Sequence, residues 1–209
     1  MKKLVLGIAV LLAALLGVVA MQPSEFHIER SALVPASPEV AFGLVNDFHA
    51  WTVWNPFSKD DPAQKEEYSG APAGLGAVMG WKGDKTGEGR MTIENSEPPK
   101  SLAIKLEFFK PFEGTNHVVF SFAPQAAGTK VTWAMDGTNA FGAKAAGLVM
   151  NMDKMLGAKF DQGLADLSTA AAAEMTKRAA EKAAAEQAAL AAAAAAAAAG
   201  APPPAAGTP

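Results

Sequence analysis

The chain contains no cysteine. That excludes disulfides, thiolate metal sites, cysteine nucleophiles and an acylated cysteine anchor. Histidine is nearly as scarce. His27, His49 and His117 stand far apart, without the short spacings that bring two imidazoles to one metal, so neither a metal site nor a cofactor is expected. Tyr68 is the single tyrosine, and Arg30 and Arg90 are the arginines of the central region. Net charge is −3 and the lysines are scattered, with no basic stripe interleaved with aromatics, which argues against nucleic acid as a partner. No internal pairing of acids, bases and nucleophiles has the look of a catalytic set. By strand parity Arg90, Glu94, Glu107, His117 and Asp136 fall on a wet face, and the glycine-rich stretch 83–89 lacks a phosphate-loop pattern.

What is present is apolar and unevenly distributed. Lys2 and Lys3 precede an uninterrupted apolar run over residues 4–21. At about 1.5 Å per residue a helix of that length spans roughly 27 Å, enough for a bilayer core. Residues 1–22 therefore read as a signal anchor or a cleaved signal peptide, with Val18-Val19-Ala20 an acceptable cleavage site. Either reading places the rest of the chain outside the cytoplasm, membrane-tethered or secreted. At the other end, residues 171–209 thin into alanine and then proline, a low-complexity tail with high helix propensity and little to pack. Residues 24–170 remain, about the size of one domain with a real core.

Within that domain, 26–34 alternates imperfectly as a first strand. Ser37-Pro38-Glu39 opens a helix with Ser37 as N-cap and Pro38 at the first helical position. Ala41, Leu44 and Val45 give it an apolar face, and Phe48, Trp51 and Trp54 continue at helical spacing until Asn55-Pro56 ends the segment. The result is an aromatic wedge suited to closing one end of a cavity. Strands are expected at 65–69, 77–82, 89–95, 101–109, 116–123 and 129–136, separated by glycine- or proline-containing turns. Clean alternation of Leu102, Ile104, Leu106 and Phe108, and of Val118, Phe120 and Phe122, predicts an antiparallel meander with one apolar face that must be covered. The cover is a helix from Phe141, whose stripe runs through Ala145, Leu148, Met152, Met155, Leu156, Phe160, Leu164 and Leu167.

This α+β order resembles the START-like, or SRPBCC, superfamily, in its polyketide cyclase/dehydrase-like branch. The resemblance rests on residues 26–42, on Asn46-Asp47-Phe48-His49-Ala50-Trp51 with Trp54-Asn55-Pro56-Phe57, and on residues 128–137. It implies a helix-grip fold, in which a curved antiparallel sheet of about seven strands wraps a long C-terminal helix around an apolar cavity. Members bind lipids, sterols, hormones or polyketides, and some catalyse cyclisation or dehydration.

In such a fold the cavity is expected to be lined by Trp54, Phe57, Met79, Trp81, Met91, Ile93, Ile104, Leu106, Phe108, Phe120, Trp133, Leu148, Met152 and Met155. The same alternation would also arise if these residues simply packed one another. Trp51 is expected to anchor the wedge in the core, with Trp54 and Phe57 at the cavity mouth. The expected partner is a hydrophobic or amphipathic small molecule or lipid, with the membrane contacted through residues 4–21. The alternative is a cyclase/dehydratase-like enzyme, which would need Tyr68, His49 or a carboxylate to face the cavity.

Overall fold

The computed structural model describes residues 2–139, 141–148 and 151–199, and these separate into two compact units, Met1–Ala172 and Ala173–Pro209. In the first, helix α1 (Lys2–Met21) precedes strand β1 (Glu25–Val34). Helix α2 (Pro38–Asn46), a 3-10 turn at Phe48–Ala50 and two short helices, α3 (Trp51–Trp54) and α4 (Pro56–Asp60), then lead to the meander. Its strands are β2 (Lys65–Gly70), β3 (Ala77–Gly83), β4 (Gly87–Glu97), β5 (Ser101–Lys110), β6 (Gly114–Gln125) and β7 (Gly128–Thr138). Helices α5 (Phe141–Gly147) and α6 (Met152–Ala199) follow.

All seven strands form one antiparallel sheet in the order β1-β7-β6-β5-β4-β3-β2. The chain thus begins at one edge, crosses to the other through α2–α4, and returns strand by strand. Two register shifts in the β4–β5 pair, at Glu88/Gly89 and Ile93/Asn95, are the irregularities that bend and twist such a sheet. The imperfect alternation of β1 has a specific cause. Arg30 occupies an inward position beside Trp133, between Ile28 and Ala32, and spends its charge on α6.

Two expectations are corrected. The wedge does not stop at Asn55-Pro56: Asn55 turns extended, its side chain accepts from the Phe57 N–H, and Pro56 starts α4 as its first residue. Ser37 is the N-cap residue of α2 and Pro38 its first residue, as expected, but the Ser37 side chain makes no capping bond to the backbone. The Ser37 hydroxyl beside the Glu39 carboxylate is the largest influence holding that group below its ordinary range. The C-terminal helix is also not continuous from Phe141. α5 ends at Gly147, and α6 restarts where the Asn151 side chain accepts from the Lys154 N–H.

A helix does form over Lys2–Met21, and Leu6, Ile8, Val10, Leu11, Leu15 and Leu16 are all exposed on it. Among the described residues, however, no helix is long and apolar enough to cross a membrane, so the bilayer-spanning expectation finds no support in the structure. The side chains of Lys2, Leu4, Val5 and Leu12 lie outside those residues.

In the second unit residues 173–199 are helical; residues 173–196 are exposed except for the partly covered Glu174, and pairs one turn apart tie Arg178 to Glu174 and Lys182 to Glu186. Such exposed pairs are each worth only a few tenths of a kcal/mol, roughly 0.3–0.5. The proline-rich segment expected to end this helix, from Gly200 onward, lies outside the described residues.

Candidate binding site

The inward face of the sheet is built from registered rows. One row runs Arg30, Trp133, Phe120, Leu102; the next runs Ile28, Met135, Val118, Ile104, Ile93. A third runs Phe26, Gly137, Asn116, Leu106, Met91, Met79, Tyr68. Burial is graded across them.

The end holding Val34, Val131, Phe122 and Leu102 is sealed, because the wedge lies on it. Phe42 meets Phe122 edge-on at 5.4 Å, and Trp51 meets Phe120 at 6.0 Å. The indole N–H groups of the wedge are spent on its own backbone, Trp51 to the Val45 carbonyl at 2.8 Å and Trp54 to the Leu44 carbonyl at 3.0 Å. Trp54 is fully buried, so it lies beneath the mouth and not at it, which corrects the expectation for that residue. Phe57, half-buried and edge-on to Trp133 at 6.4 Å, keeps a more open position.

α6 covers the centre. Phe160 stacks on Trp133 with centroids 4.2 Å apart and planes 6° from parallel, and Leu164, Leu167 and Ala171 are buried behind it. Close approach depends on two glycines. A Cβ on Gly163 would stand 2.7 Å from Trp133 Cζ3 and 2.9 Å from Pro56 Cδ, and one on Gly157 would collide with the Arg30 guanidinium. Arg30 fixes the start of α6 to β1. Its Nη2 lies 3.2 Å from the Asp153 carboxylate and its Nε 3.5 Å from that of Asp161.

At the opposite end the inward side chains remain apolar but are only partly covered. Phe26, Leu106, Phe108, Trp81 and Leu156 are half-buried there. Of the expected lining residues, Met79, Met91, Ile93, Ile104, Phe120 and Trp133 are buried inward on the sheet, and Phe57, Trp81, Leu106 and Phe108 are half-buried. Leu148 and Met155 are 38% and 46% exposed, because the chain breaks between α5 and α6 where a continuous helix would have turned them inward. The Met152 side chain lies outside the described residues. An open depression of about 510 Å³ lies at the β5–β6 turn, lined by Glu107, Phe108, Phe109, Glu113, Gly114 and Thr115.

Polar groups are few on the inward face but not absent. Tyr68 and Glu66 share the parity of Met79 and Trp81, and the Tyr68 hydroxyl donates to Glu66 Oε2 at 2.5 Å. Glu66 Oε1 also accepts from Ser58 at 3.3 Å and Gln64 at 3.1 Å. Burial, and then the bond to Glu66, push the Tyr68 phenol well above its ordinary value of 10.0, so it stays a neutral donor. His49 stacks on Tyr68 at 4.1 Å while its Nδ1 is held by Asp47 at 2.8 Å. His117 and Glu94 are exposed, and Asp136 is paired with His27 at 2.7 Å. No group of three or more potential ligands is gathered for a metal among the described residues.

Sequence reading placed Leu156 and Phe160 on the covering helix stripe but not among the lining residues, missed Phe26, and left Arg30 unplaced. Phe160 was on the helical stripe, but nothing in its spacing says that it stacks on a tryptophan.

A sheet of seven antiparallel strands closed by a wedge at one end and gripping a C-terminal helix defines a helix-grip protein with an apolar interior. The family described as "Polyketide cyclase / dehydrase and lipid transport" matches residues 25–172, and the chain belongs to it. Nothing among curated proteins matches the chain. Solved structures share the fold at low identity. Protein CV1439 from Chromobacterium violaceum is 15% identical, with a TM-score of 0.51 over 68% of this chain and 94% of that one. Protein SA2116 from Staphylococcus aureus, a protein of unknown function, is 10% identical, with a TM-score of 0.55 over 75% and 99%. The di-domain ARO/CYC BexL from the BE-7585A biosynthetic pathway is 13% identical, with a TM-score of 0.54 over 74% of this chain and 52% of its own.

Proposed function

We propose that the domain binds a hydrophobic or amphipathic small molecule, a lipid included, between the sheet and the first turns of α6. The graded burial of the inward face carries this reading. Aromatic and aliphatic side chains are sealed at the wedge end, but large apolar groups of the same face, Phe26, Leu106, Phe108 and Trp81, stay partly accessible at the other. Accessible apolar surface on the face that should be covered is what an apolar ligand would remove from water, at roughly 25 cal/mol per Å². Displacement of an environment-sensitive apolar fluorophore by long-chain fatty acids tests the reading. Saturable one-to-one uptake and competition are expected, and a chain that neither enhances the fluorophore nor releases it to competitors would overturn the proposal.

We propose separately that the domain lies on the extracytoplasmic side, tethered or secreted. The charge-free run over 4–21 and the row of exposed aliphatic side chains on α1 support it. Protease added to intact spheroplasts should then degrade the domain, and full protection would contradict the placement.

A second reading, a cyclase/dehydratase-like enzyme, is favoured by one observation: the Tyr68–Glu66 pair stands on the inward face. The one phenol proton is held by Glu66, so Tyr68 hydrogen-bonds a substrate carbonyl oxygen only where that oxygen displaces the carboxylate as its acceptor. Replacing Tyr68 with Phe should abolish turnover of an aromatic polyketide substrate at unchanged binding if this reading holds. Unchanged turnover by that variant would remove it.

A further inference from the structure

Four tryptophans lie in this domain, and three of their indole N–H groups have a backbone carbonyl: Trp51 that of Val45, Trp54 that of Leu44, Trp81 that of Thr86. Trp133 does not. It is 3% exposed, and its Nε1 is buried with no hydrogen-bond partner. A buried donor left unmade is costly, and folded proteins rarely retain one without a use for it.

The ring is fixed by its neighbours. Phe160 stacks on it, Phe120 lies 5.0 Å away, and its Cζ3 abuts the position of Gly163. Cζ3 is para to Cε2, the carbon that carries Nε1, so the N–H edge points away from the tight Gly163 crossing. Two residues along β7 on the same inward face is Met135, and beside it Asn116 spends its amide nitrogen on the Met135 sulfur at 3.7 Å, a weak acceptor. The inward face therefore offers two donors, one unused and one poorly used, beside apolar walls. What they lack is an acceptor.

We infer that the molecule bound between the sheet and α6 carries a hydrogen-bond-accepting oxygen, a carbonyl or carboxyl, and that Trp133 Nε1 donates to it. This inference rests on the binding reading above and narrows it from any apolar ligand to an oxygenated one. It makes Trp133 a specificity determinant, because an indole N–H that gains a partner only with the oxygenated ligand discriminates against the hydrocarbon.

A matched pair of probes tests it, 9-fluorenone and fluorene, alike in size and differing in one carbonyl. The intact chain is titrated with each while the indole N–H resonances are followed by NMR, with Trp133 assigned by through-bond correlation in the unaltered protein. The Trp133 resonance is expected to move downfield with fluorenone and to lack that shift with fluorene, while the Trp51 and Trp54 resonances hold their hydrogen-bonded positions. Trp133→Phe, which keeps an aromatic ring and removes the donor, should weaken fluorenone binding by roughly tenfold and fluorene binding by less than about twofold. Binding of both probes with equal Trp133 shifts, as an N–H directed into a neighbouring ring would give, overturns the donor role and leaves the binding reading standing. Binding of neither probe overturns both.

Discussion

Gly163 and Gly157 show how single atoms set the distance between helix and sheet. At Gly163 a methyl group would press on Trp133 and on the Pro56 ring, neither of which has a flexible end to move. Gly163→Ala is therefore expected to lower unfolding stability by about 1–3 kcal/mol, despite the better helix propensity of alanine. At Gly157 the neighbour is the tip of Arg30, which can swing aside at the cost of its contacts with Asp153 and Asp161. Gly157→Ala should cost less than Gly163→Ala, and denaturant unfolding of the two variants gives the comparison. Equal costs would show that α6 is not seated on Trp133 as described. Glycine is a poor helix former, so both positions stand out in the sequence as misfits within a helical run. That they serve a close approach is not visible there, because helical periodicity does not reveal what stands across the interface.

At the scale of elements, the meander was legible because each strand alternates and each turn is marked by glycine or proline. The breaks within helical segments were not. Pro56 reads as a stop, yet after an extended Asn55 it is equally a first helical residue. The interruption between α5 and α6 falls in a run whose apolar stripe continues through it, so period alone predicts one helix. The join between α4 and the β3–β4 turn was also invisible.

That join is Asp61, buried, with its carboxylate accepting from the Lys85 N–H at 2.8 Å and the Thr86 N–H at 3.4 Å. The Lys85 bond leads in holding it below its ordinary value of 3.8. Glu88, beside Lys82 and Lys110, and Glu107, beside Arg90 and Lys105, are likewise held below 4.5. A carboxylate with a depressed folded-state value stabilises the protein above its unfolded value, and that contribution is lost as pH falls through the folded one. Unfolding stability should therefore decline from about pH 4.5 downward, and Asp61→Asn should flatten part of that decline. An acid limb identical in the variant would assign the effect elsewhere.

For the whole molecule, the family and the helix-grip architecture followed from the order of elements, while the interior polar groups did not. Arg30 and Asn116 share the parity of inward neighbours but look like surface residues by type, and the Tyr68–Glu66 pair lies in a strand too polar to show an inward face until its register with β3 is set. The wedge proved to be a seal, with its tryptophans bonded to their own helix, and so the accessible part of the interior lies at the end away from it.

An apolar molecule between the sheet and α6 is the central claim, and native mass spectrometry of the chain purified without detergent tests it most directly. The expected result is a one-to-one adduct that is lost on organic extraction and restored when the extract is added back. A chain that shows only its bare mass before extraction, and takes up nothing from the extract or from added lipid, would contradict it.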